Sequence, residues 1–398
     1  MSPNLSGDRL SESTNARDRV SASPPRHPPR GVRVSVGPAA DTGPVPLPEP
    51  YDSWFPDAPI DGTYGYDRDA LLAVEPVPPP PGFADLWHGW FAASRTVRPE
   101  PRLTSLGRQG AHDLYEVEHT GAGGLRLRGW LALPSDGAAR VGVVRSHGYG
   151  GRDEPGFDRV PDDAAVVFPV ARGLGALNVG VGAPDTAAEH VVHGIGSVET
   201  YALGRCAVDL WHAADALVEV AGDLPLYYVG ESFGGIGALA VPWDRRFVGA
   251  TFVVPSFGQY DVRLGVECTG SGEAVRRYVA DHPEARDVLR YFDTSTAAGY
   301  LRIPVRCECA LWDTAVPPPG QFAVANAVAA SARAGSSGAG AAGAASSGAG
   351  ASGYGAGAAL ELQDLPAGHA EYPGKEDDNA RAAAATRAHI ARCMPGPA

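Results

Sequence analysis

Gly230-Glu231-Ser232-Phe233-Gly234 lies between two apolar runs. Before it, Leu224-Pro225-Leu226-Tyr227-Tyr228-Val229 is short, apolar and aromatic-rich, as a buried parallel strand is. After it, Gly235-Ile236-Gly237-Ala238-Leu239-Ala240 is small and apolar, as a helix packed tightly on a sheet is. A serine on such a strand-to-helix turn is forced into a strained, exposed conformation, and its flanking glycines are needed because a Cβ would clash there. The pentapeptide alone is weak in a chain with 51 glycines, where a plain Gly-Ser turn reads the same way. The strand before it and the helix after it favour a nucleophile elbow.

The surrounding chain supplies the sheet that such an elbow requires. Val141-Gly142-Val143-Val144, Val166 to Val170, Phe247 to Val254, Val305 to Trp312 and Ala359 to Leu365 read as strands. Helices are expected near Phe83, over Ser197 to Val220 and over Gly320 to Ala334. Leu114 to Pro134 alternates like an antiparallel hairpin at a sheet edge, with Gly121-Ala122-Gly123-Gly124 as its turn. Strands alternating with helices give an α/β fold with a mostly parallel central sheet flanked by helices. Residues 1–48, rich in Pro, Ser and Arg without apolar periodicity, read as a disordered tail. Residues 49–398 read as one catalytic domain. It has an N-terminal arm at 49–100, a cap segment of short helices at 265–300 and a flexible Gly/Ala/Ser insertion at 335–357.

With 398 residues and 44% hydrophobic content, the chain can bury one large core. Its 33 basic against 46 acidic residues give a net charge of −13, which argues against nucleic-acid binding. Lys375 is the only lysine. The five cysteines contain no Cys-x-x-Cys pair and read as buried thiols, so no metal is expected. No run of 18 apolar residues exists and the N-terminus lacks an apolar signal core, so a cytoplasmic location without membrane contact is expected.

A serine hydroxyl needs a base to take its proton, and that base is usually a histidine oriented by a carboxylate. Behind a nucleophile elbow the order is Ser, Asp, His. Asp313 follows the strand ending at Trp312, and His369 follows the last strand, behind Gly368. Both lie at strand C-termini, where open α/β sheets hold their sites. Asp293, Asp364, His282, His190, His193 and His212 are rivals for which helix-cap, strand or surface roles are expected. The N–H of Phe233 and that of Tyr149, in the glycine-rich Ser146-His147-Gly148-Tyr149-Gly150-Gly151-Arg152, are the candidate oxyanion donors. A plain turn or a phosphate cradle are the other readings of that loop, although the Walker pattern is missing.

In order, Arg128-Gly129-Trp130-Leu131, His147-Gly148-Tyr149-Gly150-Gly151-Arg152, Arg172-Gly173-Leu174-Gly175, His193-Gly194-Ile195, Gly230 to Gly235, Trp312-Asp313-Thr314-Ala315-Val316-Pro317-Pro318 and Gly368-His369 resemble the acetyl xylan esterase and cephalosporin C deacetylase family of α/β-hydrolases. The likeness spans roughly Tyr51 to Cys393 apart from the insertion. It implies Ser232 as nucleophile, His369 as base, Asp313 as the orienting carboxylate, and an oxyanion hole at Tyr149 and Phe233. Arg172 is implied as a structural arginine near the elbow. The resemblance further implies removal of acetyl groups from small acetylated sugars or similar alcohols, no cofactor or metal, and a ring-like homo-hexamer. Three departures stand out. Phe233 replaces the family's Gln and should make the pocket wall larger and apolar; Leu174 replaces Gln; and the acid after His369 is shifted by one, to Glu371. A peptidase on the same fold and a catalytically silent scaffold are the competing readings.

Overall fold

A computed structural model of the chain describes residues 49–339 and 359–394. The expected tail at 1–48 and residues 340–357 of the expected insertion lie outside them. Among the described residues, nine strands form one sheet: β1 (Arg102–Gln109), β2 (His112–Thr120), β3 (Arg126–Pro134), β4 (Val141–Arg145), β5 (Ala164–Pro169), β6 (Leu226–Glu231), β7 (Phe247–Val253), β8 (Val305–Ala310) and β9 (Leu360–Leu365). Their order is β1-β2-β3-β5-β4-β6-β7-β8-β9. Pairing is antiparallel from β1 to β5 and parallel from β5 to β9. The elbow strand β6 therefore lies near the middle of the sheet, with β7 and β8 leading towards β9.

β4, β5 and β7 read as near-continuous apolar runs because both faces are covered, whereas β8 and β9 alternate apolar with polar residues. β5, β7 and β8 are buried along their whole length. In β8 this buries Arg306 and Glu308, which pair with each other at 3.2 Å while Arg159 holds Glu308 at 2.8 Å. Unpaired, either charge would cost several kcal/mol in this setting. The longer helices are α1 (Phe83–Ser94), α2 (Ala202–Ala221), α3 (Gly272–Asp281), α4 (Pro318–Ala339) and α5 (Lys375–Cys393). The stripe of α2, with Leu203, Cys206, Leu210, Trp211 and Leu217, packs into the main core together with Val144 and Tyr228 of the sheet. Ile390 of α5 packs with Val143, Tyr227 and Val229 in a second core cluster.

Several elements depart from the sequence reading. The β2–β3 hairpin is not at the sheet edge, because β1 pairs outside it. β1 is exposed throughout and its Arg-Leu-Thr-Ser-Leu-Gly-Arg-Gln run does not alternate, so it carries no period-two signal. α2 begins at Ala202 and not at Ser197, because the preceding residues form turns in which the Thr200 hydroxyl donates to the Gly194 carbonyl at 2.7 Å. α4 runs on to Ala339, past Ala334 and into the expected insertion, carried through Gly335-Ser336-Ser337-Gly338 against their weak helix propensity. The segment before β8 is a series of short helices, and in its later part Leu289, Phe292, Thr294 and Ala297 are fully buried. In the arm, Tyr51, Trp54 and Phe55 join Trp312 and Tyr372 in an aromatic cluster. No helix among the described residues is long and apolar enough to cross a membrane.

Candidate active site

Three strand ends bring the site together. Ser232 follows β6 immediately and has φ 52°, the left-handed conformation expected of an elbow. A Cβ at Gly230 would overlap the Gly234 carbonyl oxygen, so glycine is required there. Asp313 stands after β8, fully buried. Its Oδ1 accepts the N–H groups of Ala315 at 2.9 Å and Val316 at 3.0 Å. Its own N–H donates to the Gly62 carbonyl at 2.9 Å, so the N-terminal arm braces it. His369 stands after β9, and a Cβ at the preceding Gly368 would overlap the Asp313 carboxylate.

His369 joins the other two. Its Nδ1 lies 2.8 Å from Asp313 Oδ2 and its Nε2 lies 2.8 Å from Ser232 Oγ. The carboxylate can only accept, so Nδ1 carries the hydrogen and Nε2 is free to accept from the serine. Burial pulls the His369 pKa down, but the hydrogen bond and charge of Asp313, with the charge of Glu231, raise it above its ordinary value. The imidazole is therefore a strengthened base, and its side chain keeps 29% exposure.

Gln321, absent from the sequence expectations, donates from Nε2 to Asp313 Oδ2 at 3.0 Å and accepts the Ala310 N–H at 2.8 Å. It fixes the carboxylate oxygen that faces His369. The only signal for it in the sequence is a lone amide among apolar residues in the first turns of α4.

The loop after β4 reaches the elbow closely: a Cβ at Gly148 would stand 3.7 Å from the Ser232 Cβ. His147 anchors this loop. Its Nε2 accepts the Ala171 N–H at 3.0 Å, which leaves the hydrogen on Nδ1, 2.6 Å from the Gly148 carbonyl. Burial pushes its pKa down to about 4, so it stays neutral. The N–H of Phe233 lies in the first turn after the elbow, where N–H groups have no helical partner. The Phe233 ring is fully buried, 4.6 Å from Tyr149 and 5.9 Å from His147 between ring centroids. It is therefore a seat beneath the loop and not the apolar pocket wall expected from the sequence.

Arg172 holds Asp209 through Nε at 2.7 Å and Nη2 at 2.9 Å. Its backbone carbonyl accepts from His190 Nε2 at 3.0 Å, and His190 Nδ1 in turn accepts from the Tyr149 hydroxyl at 3.1 Å. His190 is fully buried, and His212 nearly so. That corrects the surface or cap role expected for these two, because helix periodicity does not show which polar residue turns inward. Asp293 caps a short helix, accepting from Ser295 N at 2.8 Å and also from Tyr260 N at 2.8 Å. Asp364 pairs with Arg68, and His282 ends α3 with its Nδ1 3.1 Å from the Tyr278 carbonyl. Glu371 pairs on the surface with Lys375 and does not reach the site.

A cleft of about 510 Å³ opens beside the elbow, lined by His147, Gly148, Arg152, Glu154 and Glu231 among others. It lies along the crossover from β4 to β5, which contains no helix.

The sequence profile of the acetyl xylan esterase (AXE1) family matches residues 75–334. Among curated proteins, no match is found. Acetyl xylan esterase 1 from Thermoanaerobacterium sp. JW/SL YS485 superposes with a TM-score of 0.63 at 18% identity, covering 81% of this chain and 99% of that one. The acetyl xylan esterase from Paenibacillus sp. R4 gives 0.63 at 18% identity, with 80% and 99% covered. The acylaminoacyl peptidase of Pyrococcus horikoshii gives 0.51 at 12% identity, with 72% of this chain but only 42% of that one covered. At these identities the superpositions speak for the fold, while the profile match, spanning well over half the chain, speaks for the family. The chain belongs to the acetyl xylan esterase (AXE1) family of α/β-hydrolases and is a hydrolase acting on carboxylic ester bonds.

Proposed function

We propose that the protein is a serine carboxylesterase that removes short acyl groups, acetyl above all, from acetylated sugars or related alcohols. The observation that carries this reading is the 2.8 Å contact of His369 with Ser232 on one side and with Asp313 on the other. In this route Ser232 Oγ attacks the acyl carbonyl while His369 Nε2 takes its proton. The Phe233 and Tyr149 N–H groups receive the oxyanion. The tetrahedral intermediate expels the alcohol, which takes the proton from His369 and leaves an acetyl ester on Ser232. Water, deprotonated by the same nitrogen, then releases acetate and restores the serine. Asp313 keeps the imidazole in the required tautomer and stabilises the imidazolium, and Gln321 and Gly62 hold Asp313 in place. The polar cleft beside Glu231 suits the hydroxyl groups of the departing alcohol.

The proposal includes a cytoplasmic location, no nucleic-acid or membrane partner, and a homo-oligomer, hexameric by family resemblance. Five free cysteines favour a reducing compartment. Sedimentation analysis of the purified chain tests the assembly, and a monomer would refute it. For the chemistry, hydrolysis of p-nitrophenyl acetate is compared between the wild type and Ser232→Ala. The proposal requires near-complete loss in the variant; equal rates would remove Ser232 from the mechanism.

A further inference from the structure

The loop from Ser146 to Arg152 carries the Tyr149 N–H past the elbow, yet it contains Gly148, Gly150 and Gly151, the last at φ 76°. So many glycines leave a short loop little stiffness of its own. An oxyanion hole works only when its donors are fixed before the charge develops. The loop must therefore be held from outside. His147 and the Tyr149 side chain supply two of the holds, and Arg152 supplies a third at the loop's far end.

Arg152 closes the loop on itself. Its Nη2 donates to the Ser146 carbonyl at 3.0 Å, so the first and last residues of the loop are tied across its base. Ser146 is in turn fixed to the elbow strand, its N–H donating to the Val229 carbonyl of β6 at 2.9 Å. The backbone of Arg152 is anchored beyond β5: its N–H donates to the Gly175 carbonyl at 3.2 Å, and its carbonyl accepts the Ala176 N–H at 3.0 Å. The guanidinium carbon stands 5.0 Å from the centroid of the buried Phe168 ring, within cation–π range.

The choice of partner separates this arginine from its neighbours. Arg145 and Arg159 line the same cleft, and each holds a carboxylate, Asp158 at 2.6 Å and Glu308 at 2.8 Å. Among the described residues Arg152 makes no ion pair; its Nη2 takes a backbone carbonyl, and its Nη1 is buried without a partner. Burial, with the charge of Arg145, pulls its pKa down to about 9, so it is still protonated at neutral pH. Keeping a cation here without a counter-ion is unfavourable, so packing on Phe168 alone does not account for it.

We propose that Arg152 is a positioning residue for ester hydrolysis: through the Ser146 carbonyl it holds the loop that presents the Tyr149 N–H to the oxyanion. Its own bonds do not include Ser232 or His369, so it acts on the transition state through the loop. The role rests on the esterase reading above.

The test combines hydrolysis of p-nitrophenyl acetate with inhibition by trifluoroacetone, whose carbonyl carbon takes up Ser232 Oγ and leaves an oxygen anion in the hole. Arg152→Met keeps a side chain over Phe168 and loses every donor. It should lower kcat about 100-fold with little change in KM, and weaken inhibition by a similar factor. Arg152→Lys keeps the charge on one mobile donor without the fork, and should lose about tenfold in both. A partly unfolded enzyme loses sites but keeps the inhibitor affinity of those that remain, so the two measurements separate positioning from stability. Should Arg152→Met fail to fold, Arg152→Lys carries the test by the same readouts. Wild-type kcat in a folded variant, a loss confined to KM, or inhibitor affinity held at the wild-type value would each overturn the role. An inactive wild type would overturn the esterase reading and this role with it; an active wild type with an equally active Arg152→Met would overturn this role alone.

Discussion

His369 and His190 both contact a hydroxyl group near Ser232, yet they are opposite devices. His369 has a carboxylate at Nδ1 and the Ser232 hydroxyl at Nε2, and its pKa is raised. His190 has the carbonyl of Arg172 at Nε2 and the Tyr149 hydroxyl at Nδ1, and burial pushes its pKa down to about 4. A carbonyl gives a buried ring a tautomer but little charge to offset the loss of water, so the ring stays neutral. A carboxylate supplies both, so the ring can take a proton and give it back. The first arrangement holds a loop still, and the second suits proton transfer. The identity of the partner on the far nitrogen, more than the presence of a hydroxyl, separates the two.

The comparison can be broken most severely at the serine itself. Ser232→Ala is expected to lower kcat for p-nitrophenyl acetate on the order of 10⁶-fold. Asp313→Asn keeps the shape but allows the wrong His369 tautomer, and should lower kcat on the order of 10⁴-fold. Gly368→Ala drives a methyl group into the Asp313 carboxylate, displaces the imidazole and should lower kcat about 100-fold. His190→Phe retains the ring volume, frees the Tyr149 side chain and leaves the Arg172 carbonyl without its donor. A fall of about tenfold in kcat with little change in KM is expected, since Tyr149 is read as an oxyanion donor and not as a binding contact. A loss as large as that of Asp313→Asn would make His190 a chemical participant and erase the distinction.

The smallest effect sharpens the electrostatic side. Glu231 is one of the charges that raise the His369 pKa. Glu231→Gln removes a negative charge, so the protonated imidazole is less favoured and the pKa falls. The acidic limb of the kcat/KM profile, which reports the free-enzyme base, should move to lower pH. Movement to higher pH would contradict the assigned cause.

What was legible in the sequence divides along the same line. Ser232, Asp313 and His369 each follow a strand-like run, continuous or alternating, at its C-terminal end, so hydrophobic patterning and chain order mark them. The supports of the site leave no such trace. Gln321 reaches Asp313 from a helix start, Gly62 from the arm, and His190 from a short helix between β5 and α2. The Gly62 and His190 contacts join segments distant in the chain, while Gln321 lies close in sequence to Asp313 but across the turn that leads into α4; no local period encodes any of them. Phe233 shows the converse failure: its identity was visible, but whether its ring faces the cleft or the core depends on Tyr149, His147 and Phe257 packing around it. β1 leaves no signal because a solvated edge strand needs no alternation, and the end of α4 is not legible because Gly335-Ser336-Ser337-Gly338 reads as loop yet continues the helix.

Reaction with a fluorophosphonate, followed by mass mapping of the labelled peptide, tests the central claim most directly. The account predicts one phosphonyl group per chain, on Ser232, with labelling abolished in His369→Ala as well as in Ser232→Ala. An enzyme that hydrolyses p-nitrophenyl acetate while Ser232 stays unlabelled, or that is labelled equally well without His369, would contradict it.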